Sequence, residues 1–284
     1  MKSILIVPEV DDLIRRALEE DIGRGDITTQ AVIPAGRKGR AIIVTRDECV
    51  AAGLPIAQAV FHKVDPDLQC RFLVEDGTQV AAHTMLLEIE GSVAQILSAE
   101  RTALNFMQRL TGIASLTRQF VDKVAPYGVL ILDTRKTTPT LRSLEKYAVR
   151  CGGGTNHRMG LFDMVLIKDN HRRFWQEAGI RDLCGAVQVA REKFPGMPVE
   201  VEVESEEELL DAVRGGPEWI MLDNMKTDQM RRCVELCAKR CKLEASGGVT
   251  LTTVADIAAT GVDAISIGGL THSAPAADLS LELL

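Results

Sequence analysis

Beyond Gly128 the chain falls into a rhythm that leaves few choices of fold. Apolar runs recur at Val129–Leu132, Met164–Ile167, Val199–Val203, Trp219–Leu222, Leu243–Ala245 and Ala264–Ile267. Helical stretches fill most of the gaps between them. Strands joined through helices run parallel, so repeated β-α units at about twenty-residue spacing predict a parallel, barrel-like sheet. Ser205 and Glu208 form a capping box directly after the third run, which predicts a helix there. Ala148–Cys151 is a candidate for one further strand.

The first part of the chain has a different texture. Val10, Leu13, Ile14, Ala17 and Leu18 lie at helical spacing within Glu9–Asp21, and Gly23 follows. Arg40–Arg46 and Gln79–Ile89 read as strands, with Asp76-Gly77 as a turn signal. From Ser92 to about Val124, Ile96, Leu97, Leu104, Met107 and Leu110 mark one face of a helix or helix pair. These elements predict a small α+β domain ahead of the parallel one.

Charge narrows the partners. The formal net charge is −7, so no global field draws in nucleic acid or an anionic membrane. Aromatic residues at 4% provide few stacking platforms for single strands. Arg135 to Arg173 nevertheless holds nine Lys or Arg against three acids, a positive island on an acidic chain. Such an island suggests a local anion site. No uncharged stretch reaches the ~20 residues of a membrane span. The apolar run in MKSILIVPEVDD is too short for a signal peptide. A cytoplasmic protein is the expectation. Seven scattered cysteines do not make a disulfide framework. Cys233, Cys237 and Cys241 repeat with Met230 and Val234 on one helical face, which favours core packing over a metal.

Catalytic groups of parallel barrels gather at the C-terminal ends of strands. There the sequence places Asp133-Thr134-Arg135-Lys136-Thr137, Lys168-Asp169-Asn170, Glu204, Asp223-Asn224, Ser246-Gly247-Gly248 and Gly268-Gly269. Two glycine pairs at the last two strand ends allow backbone N–H groups close to a phosphate, although glycines also simply end strands tightly. Alternation puts Glu200, Glu202 and Glu204 on one face; a solvated antiparallel face and an inward carboxylate row both fit it. With Asp223, an inward row would hold sugar hydroxyls or a Mg²⁺-bound ligand. Lys168 reads either as a Schiff-base lysine, as in an aldolase-type lyase, or as a fixed cation. Arg135, Lys136, His157 and Arg158 nearby favour polyanion binding, since it accounts for more residues at once.

The segment Asp133-Thr-Arg-Lys-Thr-Thr-Pro139, with Glu145–Val149 and Gly152-Gly-Gly-Thr-Asn-His-Arg158, resembles the quinolinate phosphoribosyltransferase family. The likeness begins at Glu20–Thr29, continues through Glu100–Asn105 and Leu166–Asn170, and reaches Ser246–Gly248 and Thr271–Ser273. One departure is Cys49, where the family pattern has glycine. The resemblance implies a type II phosphoribosyltransferase fold: an N-terminal α/β sandwich over residues 1–112 and an open (β/α) barrel over 113–271. The tail from 272 to 284 would pack back onto the first domain.

It also implies quinolinate and phosphoribosyl pyrophosphate (PRPP) as substrates, and nicotinate mononucleotide, pyrophosphate and CO₂ as products. Mg²⁺ would be the cofactor, and a homodimer or dimer-based oligomer would share its active sites. On this sequence Lys136, Lys168, Glu202 and Asp223 would be catalytic. Arg135, His157, Arg158 and Lys168 would bind the quinolinate carboxylates, joined by Arg101 from a neighbouring subunit. Lys136 and Lys168 would also face the pyrophosphate, and Glu202 and Asp223 the ribose hydroxyls or the metal. Ser246, Gly247, Gly248, Gly268 and Gly269 would take the 5-phosphate, with Thr137 and His272 as further substrate contacts. A same-fold homologue with a drifted substrate and a lyase using Lys168 are the alternatives.

Overall fold

The computed structural model describes residues 7–177 and 182–284. The apolar run expected not to be a signal peptide lies mostly in residues 1–6, outside the described residues. Two compact units are present. The first comprises the chain up to Arg118, Thr138–Gly153 and Ser273–Leu284; the second comprises Gln119–Thr137 and Gly154–His272.

In the first unit the strands are β1 (Lys38–Thr45), β2 (Cys49–Val50), β3 (Gln69–Phe72), β4 (Gln79–Val80) and β5 (Met85–Ser92). Antiparallel pairing joins β1 to β5, β5 to β3, and β2 to β4. The helix Pro8–Ile22 buries Val10, Ile14 and Leu18, the stripe that its spacing predicts, and ends at Gly23. Leu54–Val64 buries Ile56, Ala57, Val60 and Phe61. Each fully buried aliphatic side chain contributes roughly 1.5–3 kcal/mol of transfer free energy. Cys49 sits buried in β2 opposite Val80, with no positive φ that would call for glycine. A single helix, Val93–Val124, replaces the expected helix or helix pair. The boundary expected after residue 112 falls inside it.

The second unit holds β6 (Leu130–Leu132), β7 (Val165–Ile167), β8 (Val199–Val203), β9 (Trp219–Asp223), β10 (Lys242–Ser246) and β11 (Ala264–Ser266). All pair in parallel, in the order β6-β11-β10-β9-β8-β7. With β6 and β7 at opposite edges the sheet stays open. Ser205 caps the following helix by accepting the Glu208 N–H at 3.2 Å, as the capping box predicts. Ala148–Cys151 is no strand; it ends the helix Arg142–Cys151, in which Leu144, Tyr147, Ala148 and Cys151 are buried at helical spacing. The sheet gains an isolated parallel bridge instead, between Leu132 and Thr155. Finally β12 (Leu279–Leu283) returns to the first unit and pairs antiparallel with β1.

The parallel sheet positions the chemistry. Val199, Val201 and Val203 on β8 are fully buried, while Glu200 and Glu202, pointing the other way, are 1% and 5% exposed. The inward carboxylate row is therefore the arrangement present, and the solvated antiparallel face is not. Glu204, one step beyond β8, is exposed.

Candidate active site

At the C-terminal edge of the parallel sheet lies a cavity of about 550 Å³. Its walls include Arg135, Lys136, His157, Arg158, Lys168, Glu202 and Asp223, with Ser246, Gly247 and Gly248. These residues come from five strand ends and the glycine-rich segment beside β6. Gly268 stands beside the wall: a Cβ there would meet Lys136 Cδ at 3.0 Å and His272 Nε2 at 3.1 Å. Thr271 donates its hydroxyl to the Lys136 carbonyl at 2.7 Å, fixing the β6 loop to the turn after β11. Thr137, Gly269 and His272 are neighbours of that junction rather than walls of the cavity. Arg101 is exposed on Val93–Val124, in the first unit.

Local geometry explains how the segment after Gly154 joins this site. Thr155 donates its N–H to the Ile131 carbonyl at 2.8 Å, so the segment runs along β6 like a short extra strand. Asp133, fully buried, accepts from Asn156 Nδ2 at 2.5 Å and from the His157 N–H at 2.9 Å. Arg158 then emerges next to Arg135. Its Nη1 donates to the Met164 carbonyl at 3.2 Å. Burial, followed by the charge of Arg135, holds the Arg158 guanidinium below its ordinary proton affinity. Two forks of like charge are held together, an arrangement that an incoming dianion relieves.

Acids face these cations. Lys168 Nζ donates to Glu202 Oε2 at 2.8 Å. That contact fits Lys168 as a fixed cation in the wall. Burial, and then the charge of Glu202, raises the Asp223 carboxyl above its ordinary value. Asn224 Nδ2 donates to Asp223 at 2.8 Å. Gly247 has φ +102°, and a Cβ there would lie 2.1 Å from Asn224 Oδ1, so only glycine fits against that side chain.

Below the cations His157 meets two carboxylates that strand spacing did not single out as a pair. Its Nε2 lies 3.0 Å from Glu200 Oε2 and 3.4 Å from Glu244 Oε2. The sign that Glu244 mattered was a lone acid inside an otherwise apolar strand core, Leu243-Glu244-Ala245. Burial alone would push the His157 ring's proton affinity down; its hydrogen bonds to Glu200 and Glu244 outweigh that and raise it. Burial, with the Glu244 charge next, pushes Glu200 up to about 7. The Arg158 N–H faces His157 Nδ1 at 2.7 Å, where a second ring proton would collide with it. The contact with Arg158 leaves the ring proton on Nε2, toward the two carboxylates.

The positive island resolves into two places. Arg135, Lys136, Arg158 and Lys168 line the cavity, whereas Arg142, Lys146 and Arg150 lie on Arg142–Cys151 in the first unit. Arg172 is buried and pairs with Glu204 and Glu208. Cys233 and Cys237 are buried, and Cys241 follows the helix with its Sγ 3.4 Å from that of Cys237. Among the described residues, His157, Glu200 and Glu244 are the one cluster of three or more such ligating groups. No helix of the described residues is long and apolar enough to cross a membrane.

Comparison with known proteins agrees with this geometry. The family model described as quinolinate phosphoribosyl transferase, C-terminal domain, matches residues 113–282, and that for the N-terminal domain matches residues 26–111. The chain belongs to the quinolinate phosphoribosyl transferase family. It is 42% identical over 278 residues to the nicotinate-nucleotide pyrophosphorylase [carboxylating] of Mycobacterium leprae, covering 96% of each chain. The solved nicotinate-nucleotide pyrophosphorylase of Francisella tularensis superposes with a TM-score of 0.91 at 39% identity, over 98% of both chains. That of Ehrlichia chaffeensis gives 0.90 at 36% identity over the full length of both. The mixed α/β architecture with its open parallel sheet is the fold of this family.

The raised Glu200 carboxyl has a consequence for stability. A group that binds its proton more tightly when folded stabilises most below its unfolded pKa, and that stabilisation is lost as pH rises through the folded value. For Glu200 the window runs from the ordinary 4.5 to about 7. The thermal midpoint of the wild type, measured against Glu200→Gln, is therefore expected to fall steadily from pH 5 to pH 8. A pH-independent difference would contradict this.

Proposed function

We propose that this protein transfers the phosphoribosyl group of PRPP to the ring nitrogen of quinolinate and releases pyrophosphate and CO₂, giving nicotinate mononucleotide for NAD synthesis. The observation that carries the reading is one cavity combining the Arg135–Arg158 pair with Lys136, Lys168 and the acids Glu202 and Asp223. Both substrates are polyanions, which a cation cluster on an acidic chain is suited to gather. Guanidinium forks match carboxylates in two-point geometry, so Arg135 and Arg158 take the quinolinate carboxylates, with His157 at their base. Lys136 and Lys168 face the pyrophosphate. Ser246, the two glycine pairs, Thr137 and His272 surround the 5-phosphate end.

The chemistry needs no nucleophilic side chain. As pyrophosphate departs, the ribose C1 becomes cationic, and carboxylates placed beside it stabilise that charge. Glu202 and Asp223, both in the cavity wall, take that role and also bind the ribose hydroxyls. The pyridine nitrogen then forms the new bond to C1 and becomes cationic. That charge stabilises the electron pair left on the ring carbon when CO₂ is lost, and a proton from solvent then fills that position to give nicotinate mononucleotide. The protein's share is orientation and charge complementarity. Two carboxylates with no third ligating group among the described residues suit Mg²⁺, which completes its shell with water and substrate phosphates. Glu202 and Asp223 would hold it, and it would neutralise charge on the leaving pyrophosphate. Charged, phosphorylated substrates, which do not cross membranes unaided, support a cytoplasmic location.

We extend the reading to a dimer in which exposed Arg101 from a second copy completes the cation set. Two measurements check these statements. The purified protein with carboxyl-labelled quinolinate is expected to release labelled CO₂ only when PRPP and Mg²⁺ are added. Release without PRPP, or none with it, would overturn the reaction. For the shared site, Arg101→Ala and Lys168→Ala proteins should each be nearly inactive. After subunit exchange about half the dimers are mixed and each holds one intact site, so activity should recover to about one quarter of wild type. No recovery, with exchange verified by mass spectrometry, would place Arg101 outside a shared site.

A further inference from the structure

Glu200 and Glu244 are out of place in a site built for polyanions. Each is 1% exposed, and each lies beneath the cations that the reading above assigns to substrate. Two buried acids so near an anion cavity oppose substrate binding wherever they ionise. Burying a carboxylate also carries a heavy desolvation cost unless a partner offsets it. Among the described residues no other donor reaches either oxygen of Glu200, or Oε1 of Glu244. Their common neighbour is the Nε2 of His157, and the three groups place their ligating atoms within 4.8 Å of one another.

The imidazole is thereby gripped on both sides. Nε2 faces the two acids, and Nδ1 accepts the Arg158 N–H at 2.7 Å. The backbone on the other side of the ring is fixed by Asp133, which takes the His157 N–H at 2.9 Å. Rotation of the ring would break its contact with Arg158 and with both carboxylates together. The direction in which Arg158 leaves the segment thus depends on two acids that never reach the cavity wall.

We propose that Glu200 and Glu244 are positioning residues, which hold the His157 ring from below and so set Arg158 for the quinolinate carboxylates. The proposal rests on the function proposed above. It gives a reason for the otherwise costly acids, and it predicts that their loss is felt by quinolinate and not by PRPP.

Because buried ionic groups replaced by apolar ones of similar size are often neutral or stabilising, the informative variant is the double Glu200→Met/Glu244→Met protein. Its thermal midpoint should match or exceed that of wild type. KM for quinolinate should rise at least about tenfold while KM for PRPP stays within about twofold. The Glu200→Gln/Glu244→Gln protein keeps acceptor oxygens for Nε2 and should recover most of the quinolinate affinity. A merely structural role would lower the midpoint and leave the two KM values in their wild-type ratio; that result, or an unchanged quinolinate KM, would overturn the proposal. Imidazole nitrogen NMR of the wild-type protein gives a readout independent of turnover. A locked His157 ring protonated on Nε2 supports the grip, even if PRPP-dependent CO₂ release fails and the reaction itself has to be abandoned. An averaged ring, or a divalent metal bound stoichiometrically by these three groups, would overturn it.

Discussion

Asp133 is the point on which the site depends. It is fully buried at the end of β6, and its two oxygens accept Asn156 Nδ2 and the His157 N–H. A buried carboxylate without such donors would be costly, so these bonds are strongly enforced. They draw a glycine-rich segment against the edge of the parallel sheet and place His157 and Arg158 beside Arg135. Without them, the two arginines would sit on separate loops with no fixed spacing. A loop alone does not hold two guanidinium groups side by side; a strand end with its partner segment does.

Charge is arranged above and below that anchor. Arginines and lysines face the cavity, and Glu202 and Asp223 share its wall. Glu200 and Glu244 lie deeper. The Lys168–Glu202 contact at 2.8 Å shows the two signs meeting at the wall itself. Such a layered arrangement keeps the cations ordered before substrate arrives, so little reorganisation is left for the reaction. The chain as a whole is acidic, which confines attraction for anions to this mouth.

Much of this was legible in the residues. The six parallel strands are found within about one residue of the apolar runs, because each run is bounded by polar strand ends that become the site. Glu200 and Glu202 could be expected to point inward once β8 was taken as a barrel strand. Ala148–Cys151 misled because four apolar residues do not distinguish a strand from the end of a buried helix face. The positive island over-promised for a different reason: linear charge density ignores where the backbone goes, and three of its cations fold into the other unit. Glu244 was hidden because its meaning comes only from His157, a residue 87 positions away in the chain that parallel pairing brings close. Of the residues that family likeness assigns, the cavity gathers Arg135, Lys136, His157, Arg158, Lys168, Glu202, Asp223 and Ser246–Gly248; Thr137, Gly268, Gly269 and His272 are not among its walls, and Arg101 belongs to the first unit.

The proposed function turns on the Arg135–Arg158 pair reading two carboxylates at once. Titration calorimetry of quinolinate and of nicotinate, which lacks one carboxylate, tests this directly at fixed pH and salt. Losing a charge-assisted contact costs roughly 1.5–3 kcal/mol, and about 1.4 kcal/mol is a factor of ten. Nicotinate is therefore expected to bind at least about tenfold more weakly than quinolinate. Equal dissociation constants for the two acids would contradict the account.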